Sequence, residues 1–333
     1  MHMKVIIDRA IPYIQGILEP YAEVVYRDGN AFSASDVHDA DCLIIRTRTR
    51  CNESLLAGSS VKLIATATIG FDHIDLQYCA SHGIEVVTAA GCNAAGVLQW
   101  VASTLALLAT EEGWQPSERT LGIVGVGNVG RLVEQYAREW GFHILRCDPP
   151  RHEREGGDFL QLEEVAAQSD IVTLHTPLDS TTFHMIDERI VSLIPHHGTI
   201  INASRGEVAA TDALLAAPQR LCLDVWENEP NINQALLQKA FVATPHIAGY
   251  SAQGKANASS IVVRAIAERF ALPLTNWYPE QVQPAERRAI EWSDMCRTIA
   301  RYCDLQTQSE YMRLHSDNFE SLRNNYHYRE EYF

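Results

Sequence analysis

The chain has 333 residues, 46% hydrophobic and 21% charged, with a formal net charge of −15. That length is expected to fold as two domains, each with its own core. The acidic balance argues against nucleic acid or an anionic membrane surface as partners, so any anionic ligand must be drawn in by a local basic patch.

In chain order, strands are expected at Lys4–Asp8, Glu23–Tyr26, Cys42–Arg46, Lys62–Ala67 and Glu85–Thr88. Helices are expected near Ile11–Leu18, Ser35–Asp39, Glu53–Ala57 and Leu76–Ser81. This alternation describes a parallel α/β domain over residues 1–92. A long apolar helix follows from Asn93 to Glu112. A second α/β domain, 93–256, carries six strands: Thr120–Val124, Phe142–Cys147, Asp170–His175, Thr199–Ala203, Cys222–Trp226 and Phe241–Thr244. Six parallel strands make a full doubly wound sheet. Residues 257–333 then comprise a return helix, a linker marked by Pro273, Pro279 and Pro284, and a tyrosine-rich tail expected to serve in oligomerisation.

The eight cysteines show no paired spacing, which points to a reducing, cytoplasmic setting. No apolar stretch is expected to reach the roughly 18 residues that span a bilayer. No signal peptide is expected, and Met3 is the expected natural start, behind Met1 and His2. His196 and His197 lack an acidic or cysteine partner at ligand spacing, so no metal is expected.

The segment Leu121–Gly130 is an apolar run that breaks into Gly125, Gly127 and Gly130 at the spacing G-x-G-x-x-G. Apolar residues at helical spacing follow (Val129, Leu132, Val133, Tyr136, Ala137, Trp140), with Gly141 where a C-terminal cap belongs. Bare N–H groups and the positive end of a helix dipole converge in such a turn, a pyrophosphate site formed by Gly125, Gly127, Asn128, Val129 and Gly130. Asp148, at the end of the next strand, stands where a carboxylate would accept bonds from ribose hydroxyls and repel a 2′-phosphate. NAD is therefore expected over NADP, although Arg146 and Arg151 flank that position.

Three residues sit just past the ends of successive strands of this domain: Arg205, Glu229 and His246. A planar guanidinium can clamp a carboxylate in two parallel hydrogen bonds. An imidazolium can donate a proton to a carbonyl oxygen while hydride reaches the carbon, and a carboxylate on its other nitrogen sets its orientation. Arg46-Thr-Arg-Thr-Arg50 after a strand of the first domain places Arg46, Arg48 and Arg50 on one face if extended, a basic patch fit for a phosphate.

These residues, with Thr-Ile-Gly-Phe-Asp-His-Ile-Asp (68–75), Gly-Cys-Asn-Ala (91–94), His-Thr-Pro-Leu (175–178), Asn-Ala-Ser-Arg-Gly (202–206), Asp-Val-Trp-Glu-Asn-Glu-Pro (224–230) and Pro-His-Ile-Ala-Gly (245–249), resemble the D-2-hydroxyacid dehydrogenase family. The resemblance implies a flavodoxin-like substrate domain, a Rossmann NAD domain and a small C-terminal dimerisation region. It implies that Arg205, Glu229 and His246 are the catalytic set, with His246 the proton donor in the reducing direction. Thr176, Ala203, Asp224 and Gly249 would line the NAD pocket, and Thr47, Thr68 and Tyr250 would contact substrate; Arg46 and Arg48 are added from the basic patch. Cys-Asp-Pro-Pro-Arg (147–151), Tyr250 and Phe-Glu-Ser-Leu-Arg-Asn-Asn-Tyr (319–326) narrow the likeness to members that oxidise 4-phospho-D-erythronate in pyridoxal phosphate synthesis, as homodimers. Phosphoglycerate and glycerate/hydroxypyruvate dehydrogenases are the alternatives, and an NAD(H)-sensing binding protein is one of another class. Gln99 and Ala210 depart from the family pattern.

Overall fold

The computed structural model describes residues 3–333; Met1 and His2 lie outside the described residues. The chain divides into two compact units: the stretch up to Asn93 with Ala252–Pro284, and Ala94–Ser251 with Ala285–Phe333.

In the first unit, β1 (Lys4–Asp8), β2 (Glu23–Arg27), β3 (Cys42–Ile45), β4 (Leu63–Thr66) and β5 (Glu85–Thr88) form a parallel sheet in the order β2-β1-β3-β4-β5. This is the flavodoxin-like order. The central strands are unbroken apolar runs because both faces are covered. Val5, Ile7, Ile44 and Leu63 pack on one side with Val262, Val263 and Ile266. Ile6, Leu43, Ile45 and Ile64 pack on the other with Val37, Leu55 and Ile74. The helix expected at Ile11–Leu18 is instead a run of turns. Tyr13 (φ +66°) and Gly16 (φ +85°) leave the helical region, yet Ile11, Ile14 and Leu18 still reach the core.

The helix Ala252–Phe270 belongs wholly to this unit, so the boundary expected at residue 256 would cut through it. Its apolar residues complete the first core, which helical periodicity alone cannot assign to either domain.

In the second unit, β6 (Thr120–Val124), β7 (His143–Cys147), β8 (Ile171–Leu174), β9 (Thr199–Asn202), β10 (Arg220–Leu223) and β11 (Val242–Ala243) form a parallel sheet in the order β11-β10-β9-β8-β6-β7. The chain leaves β6 toward one side and returns as β8 on the other. The β6 carboxyl end is thus the topological switch point, where such sheets take ligands. Beyond the edge strand β7, Leu160 N–H donates to Arg146 O (2.8 Å). β10 begins and ends earlier than expected, at Arg220–Leu223. Val225 and Trp226 are buried in the loop beyond it, where an apolar run reads like strand.

The helix Ala94–Glu112 is long and apolar enough to cross a membrane, contrary to the sequence expectation; most of it is buried in the core. The tail expected to serve in oligomerisation packs on its own unit. Trp292 stacks on Trp114 and meets Trp140 and Phe142, while Phe333 meets Tyr136 and Trp140. The helix Leu305–Leu314 covers the sheet edge, with Ser309 Oγ accepting the Ala243 N–H (3.0 Å). An exposed strand edge is thereby closed from within the chain.

His175 follows β8 half-buried, with Nε2 on Thr173 Oγ1 (3.0 Å) and Nδ1 sealed from solvent without a partner. Burial pushes its pKa down to about 3. The unfolded chain therefore binds the extra proton below about pH 6.5, and stability from this group is lost as pH falls toward 3. The urea midpoint should drop from pH 7 to pH 4.5, and His175→Gln should flatten part of that drop. An identical drop in both proteins would refute the assignment.

Candidate active site

The glycine loop follows β6 directly. Gly125 has φ +86°, and a Cβ there would lie 2.8 Å from the His175 carbonyl. A Cβ on Gly130 would lie 2.1 Å from Gly125 O, so this glycine lets the helix Asn128–Trp140 close on the strand. Gly127 is different. Its Cβ position opens on empty space, and it caps the helix without a side-chain bond. Unoccupied N–H groups at a helix start, with room above them, fit a pyrophosphate. Thr176 lies against the loop, its Cγ2 within 2.9 Å of a Cβ on Gly125. Val129 and Ala203 pack partly buried on the core beneath.

Asp148 accepts the N–H groups of Val126 (2.8 Å) and Arg151 (3.0 Å), holding the loop and capping the helix Pro149–Glu155. The flanking arginines are occupied. Arg151 pairs with Glu155 (2.9 Å) and donates to Val126 O, and Arg146 pairs with Glu134 (3.4 Å) over the Phe159 ring. With both cations partnered, the surroundings of Asp148 favour an unphosphorylated ribose.

Asn202 ends β9 and folds the next loop. Its Oδ1 accepts the Ser204 N–H and hydroxyl, and its Nδ2 donates to Arg205 O (2.9 Å). Gly206 then passes so close to the β10 loop that a Cβ would strike the Trp226 carbonyl carbon at 2.0 Å. Arg205 is half-buried, with one Nη1 bond to Ser204 O (2.7 Å).

Asp224, 1% exposed, accepts Thr244 Oγ1 (2.6 Å), Ile247 N–H (2.8 Å) and Ala248 N–H (2.9 Å). Burial pushes its carboxyl above the ordinary value, opposed by His246 and these donors. Asp224, expected in the NAD pocket, is thus engaged as the internal anchor of the loop that carries His246 and Gly249. His246 takes φ +58° with its N–H on Asp224 O (2.7 Å). Its Nδ1 meets Glu229 Oε2 at 2.8 Å, while Glu229 Oε1 accepts the Trp226 N–H (3.0 Å). Nε2 is the ring nitrogen that Glu229 leaves available.

In the first unit, Arg46-Thr-Arg-Thr-Arg50 is a turn, closed by Thr49 N–H on Arg46 O (3.1 Å), and does not array its arginines as an extended segment would. Arg46 is gripped by the buried Asp8, Nε to Oδ2 at 2.9 Å. The buried Thr49 hydroxyl donates to Gly29 O, leaving Thr47, Arg48 and Arg50 exposed. Thr68 shares a hydrogen bond with Thr66 (2.6 Å) and donates to Gly70 O (3.2 Å).

Sequence reasoning missed the contribution of the tail. Arg323 lies 3.5 Å from Glu229 Oε2 and 3.2 Å from Tyr250 Oη. The buried Arg329 donates to the carbonyls of Ile247 (3.0 Å), Ala248 and Gly96 (2.9 Å). The departures also resolve. The Gln99 amide donates to Glu330 O and accepts the Tyr332 N–H, a pair of bonds that no carboxylate could make. Ala210 precedes a helix without side-chain capping, and Glu227 supplies the acceptor for Thr211 N–H (2.7 Å).

Residues 98–248 match the family model described as D-isomer specific 2-hydroxyacid dehydrogenase, NAD binding domain. The erythronate-4-phosphate dehydrogenase of Bacteroides thetaiotaomicron is 44% identical, covering 99% of this chain and 97% of that protein. The enzyme of that name from Escherichia coli O81 is 42% identical over 79% of this chain and 72% of its own length. The NAD+-bound 3-phosphoglycerate dehydrogenase of Entamoeba histolytica shares the fold, with a TM-score of 0.69 at 24% identity over 82% of this chain and 98% of that one. A glycine cradle, a His–Glu pair at a neighbouring strand end and this identity along nearly two whole chains agree: the chain belongs to the NAD-dependent D-2-hydroxyacid dehydrogenase family, in its erythronate-4-phosphate dehydrogenase branch.

Proposed function

We propose that the protein oxidises 4-phospho-D-erythronate at its 2-hydroxyl to 2-oxo-3-hydroxy-4-phosphobutanoate, serving pyridoxal phosphate synthesis. The observation that carries the chemistry is the Glu229–His246 pair, 2.8 Å apart at the same sheet edge as the glycine loop. The 44% identity to erythronate-4-phosphate dehydrogenase supports the substrate. NAD, when bound, supplies the hydride acceptor.

Gly125, Gly127, Asn128, Val129 and Gly130 hold the pyrophosphate and Asp148 the ribose, with Thr176, Ala203 and Gly249 lining the same pocket. His246 works through Nε2. A proton on Nδ1, donated to Glu229, leaves Nε2 unprotonated to accept the 2-hydroxyl proton, and the reverse direction returns it. Glu229 fixes the ring without touching substrate. Arg205 meets the substrate carboxylate, a task its planar fork suits. Arg46, Thr47, Arg48 and Thr68 are proposed to recognise the phosphate end, and Tyr250 is a further proposed substrate contact. Asp8 holds Arg46 ready, so less side-chain entropy is lost on binding. Eight free cysteines, seven of them buried, support a reducing cytoplasmic setting.

Purified protein should show its highest kcat/KM with 4-phospho-D-erythronate when compared with 3-phosphoglycerate and glycerate; preference for either of the others overturns the substrate. His246→Ala should keep NADH binding and lose at least about 10²-fold in turnover. Turnover that survives the change would remove His246 from the chemistry. Arg46→Ala should raise KM for the phosphorylated acid far more than for unphosphorylated D-erythronate, whereas equal losses would dismiss it as a phosphate ligand. The protein is also proposed to be a homodimer, with exposed Tyr311 and Leu314 of the tail helix as apolar surface in support. Sedimentation equilibrium should then give twice 37.2 kDa, and a monomer mass would refute it.

A further inference from the structure

The last fifteen residues are tied into the second unit far more tightly than a solvated tail requires. Phe319 is buried against the sheet-covering helices. Arg329, 6% exposed, grips three carbonyls, and Gln99 holds the backbone on both sides of Glu331. Ser251 Oγ donates to the Glu331 carboxylate (2.6 Å), and Tyr332 and Phe333 finish in the aromatic core. Between these anchors the helix Phe319–Asn324 presents Arg323.

Arg323 touches two groups already assigned to the site. Its Nη1 lies 3.5 Å from Glu229 Oε2, the same oxygen that meets His246 Nδ1, and its Nε donates to Tyr250 Oη at 3.2 Å. Glu229 is therefore restrained from three directions: the Trp226 N–H on one oxygen, His246 and Arg323 on the other. Tyr250 is restrained as well, with the rings of Tyr326 and Tyr328 edge-on at 6.3 Å and 6.1 Å. Glu229 lies in one loop and Tyr250 in another, seventy-three residues before Arg323; the backbone bridge from Ser251 to Arg329 brings the C-terminal segment alongside Tyr250, and Arg323 reaches from it to both side chains. A planar fork with donors on two edges can span both partners, whereas an ammonium is a single point.

We propose that Arg323 is a positioning residue of this enzyme: from the C-terminal segment its guanidinium sets Glu229 and the Tyr250 hydroxyl in register with His246, making residues 319–333 a working part of the active site. Misplacement of about 1 Å in such a constellation costs up to about 10²-fold in rate. The inference rests on the reaction proposed above.

The test uses the full chain with NAD and 4-phospho-D-erythronate. Arg323→Ala should lower kcat about 10- to 100-fold, with the NADH Kd within about twofold of the unaltered protein. Guanidinium chloride at tens of millimolar, far below denaturing concentration, should recover part of the loss by refilling the vacated position. Arg323→Lys, which keeps the charge and most of the bulk, should remain well below the parent and gain nothing from guanidinium. Because the lysine variant preserves packing, it decides the matter even if the alanine variant does not fold. A kcat within twofold of the parent in either variant overturns the proposal. So does a loss that guanidinium leaves untouched while NADH affinity falls in step. No turnover by the unaltered chain would overturn the reaction itself, whereas normal parental turnover beside a fully active variant overturns the role of Arg323 alone.

Discussion

The site depends on two peptide units, those of Ile247 and Ala248, clamped from opposite sides. Asp224 accepts both of their N–H groups, and Arg329 donates to both of their carbonyls. A buried carboxylate or a buried guanidinium alone would be costly, because each loses hydration that a few dipoles cannot replace. Here Asp224 takes its hydrogen bonds from the N–H groups and Arg329 gives its own to the carbonyls of a shared strip of backbone, although Arg329 Nε is buried without a partner. The clamp fixes the chain directly after His246, which holds φ +58° without being glycine. The loop cannot relax to extended backbone unless the clamp opens.

From that fixed point the remaining geometry is inherited from the sheet. Parallel strands end at one edge, so β10 delivers Asp224 to the loop after β11 and, two residues later, the Trp226 N–H to Glu229. Gly206 brings the Arg205 loop into backbone contact with the same residue, Trp226. Trp226 is itself held by its indole N–H on Thr244 O (3.0 Å). Three strand ends are thus locked to one another before any ligand arrives. Such preorganisation is what hydride and proton transfer in one site require, since the reacting groups are placed at no cost during turnover.

Much of this is written locally in the sequence. Apolar runs of four or five residues mark the central strands because both faces are covered, and the three glycines mark the switch point because each answers a separate steric demand. Arg205, Glu229 and His246 are legible because each follows a strand of a parallel sheet. What is not legible is separated along the chain. The partners of Gln99 and Gly96 lie more than 230 residues away, and nothing in the composition of the tail points to them. Ala210 reads as a defect until Glu227, from another loop, supplies the missing cap. The arginine loop has the alternation of a strand, but Thr49 prefers the buried carbonyl of Gly29 and draws the segment into a turn. Sequence periodicity reports which residues are apolar on one face. It cannot report which distant backbone group a polar side chain will satisfy.

The charge problem posed by the composition has the same kind of answer. A protein of net charge −15 proposed to take a phosphorylated acid is expected to gather bare cations, yet Arg46 is paired with Asp8 and Arg323 with Glu229. Each pairing gives up some attraction at long range, where screening beyond about 10 Å would erase most of it anyway. What it gains is direction. A guanidinium held on one edge by a carboxylate keeps its remaining donors aimed along fixed lines, and short charge-assisted hydrogen bonds depend on that aim. On the proposed reading, recognition of the anion by Arg46 rests on an oriented donor rather than on net charge, and Asp8, which lowers the charge, supplies the orientation.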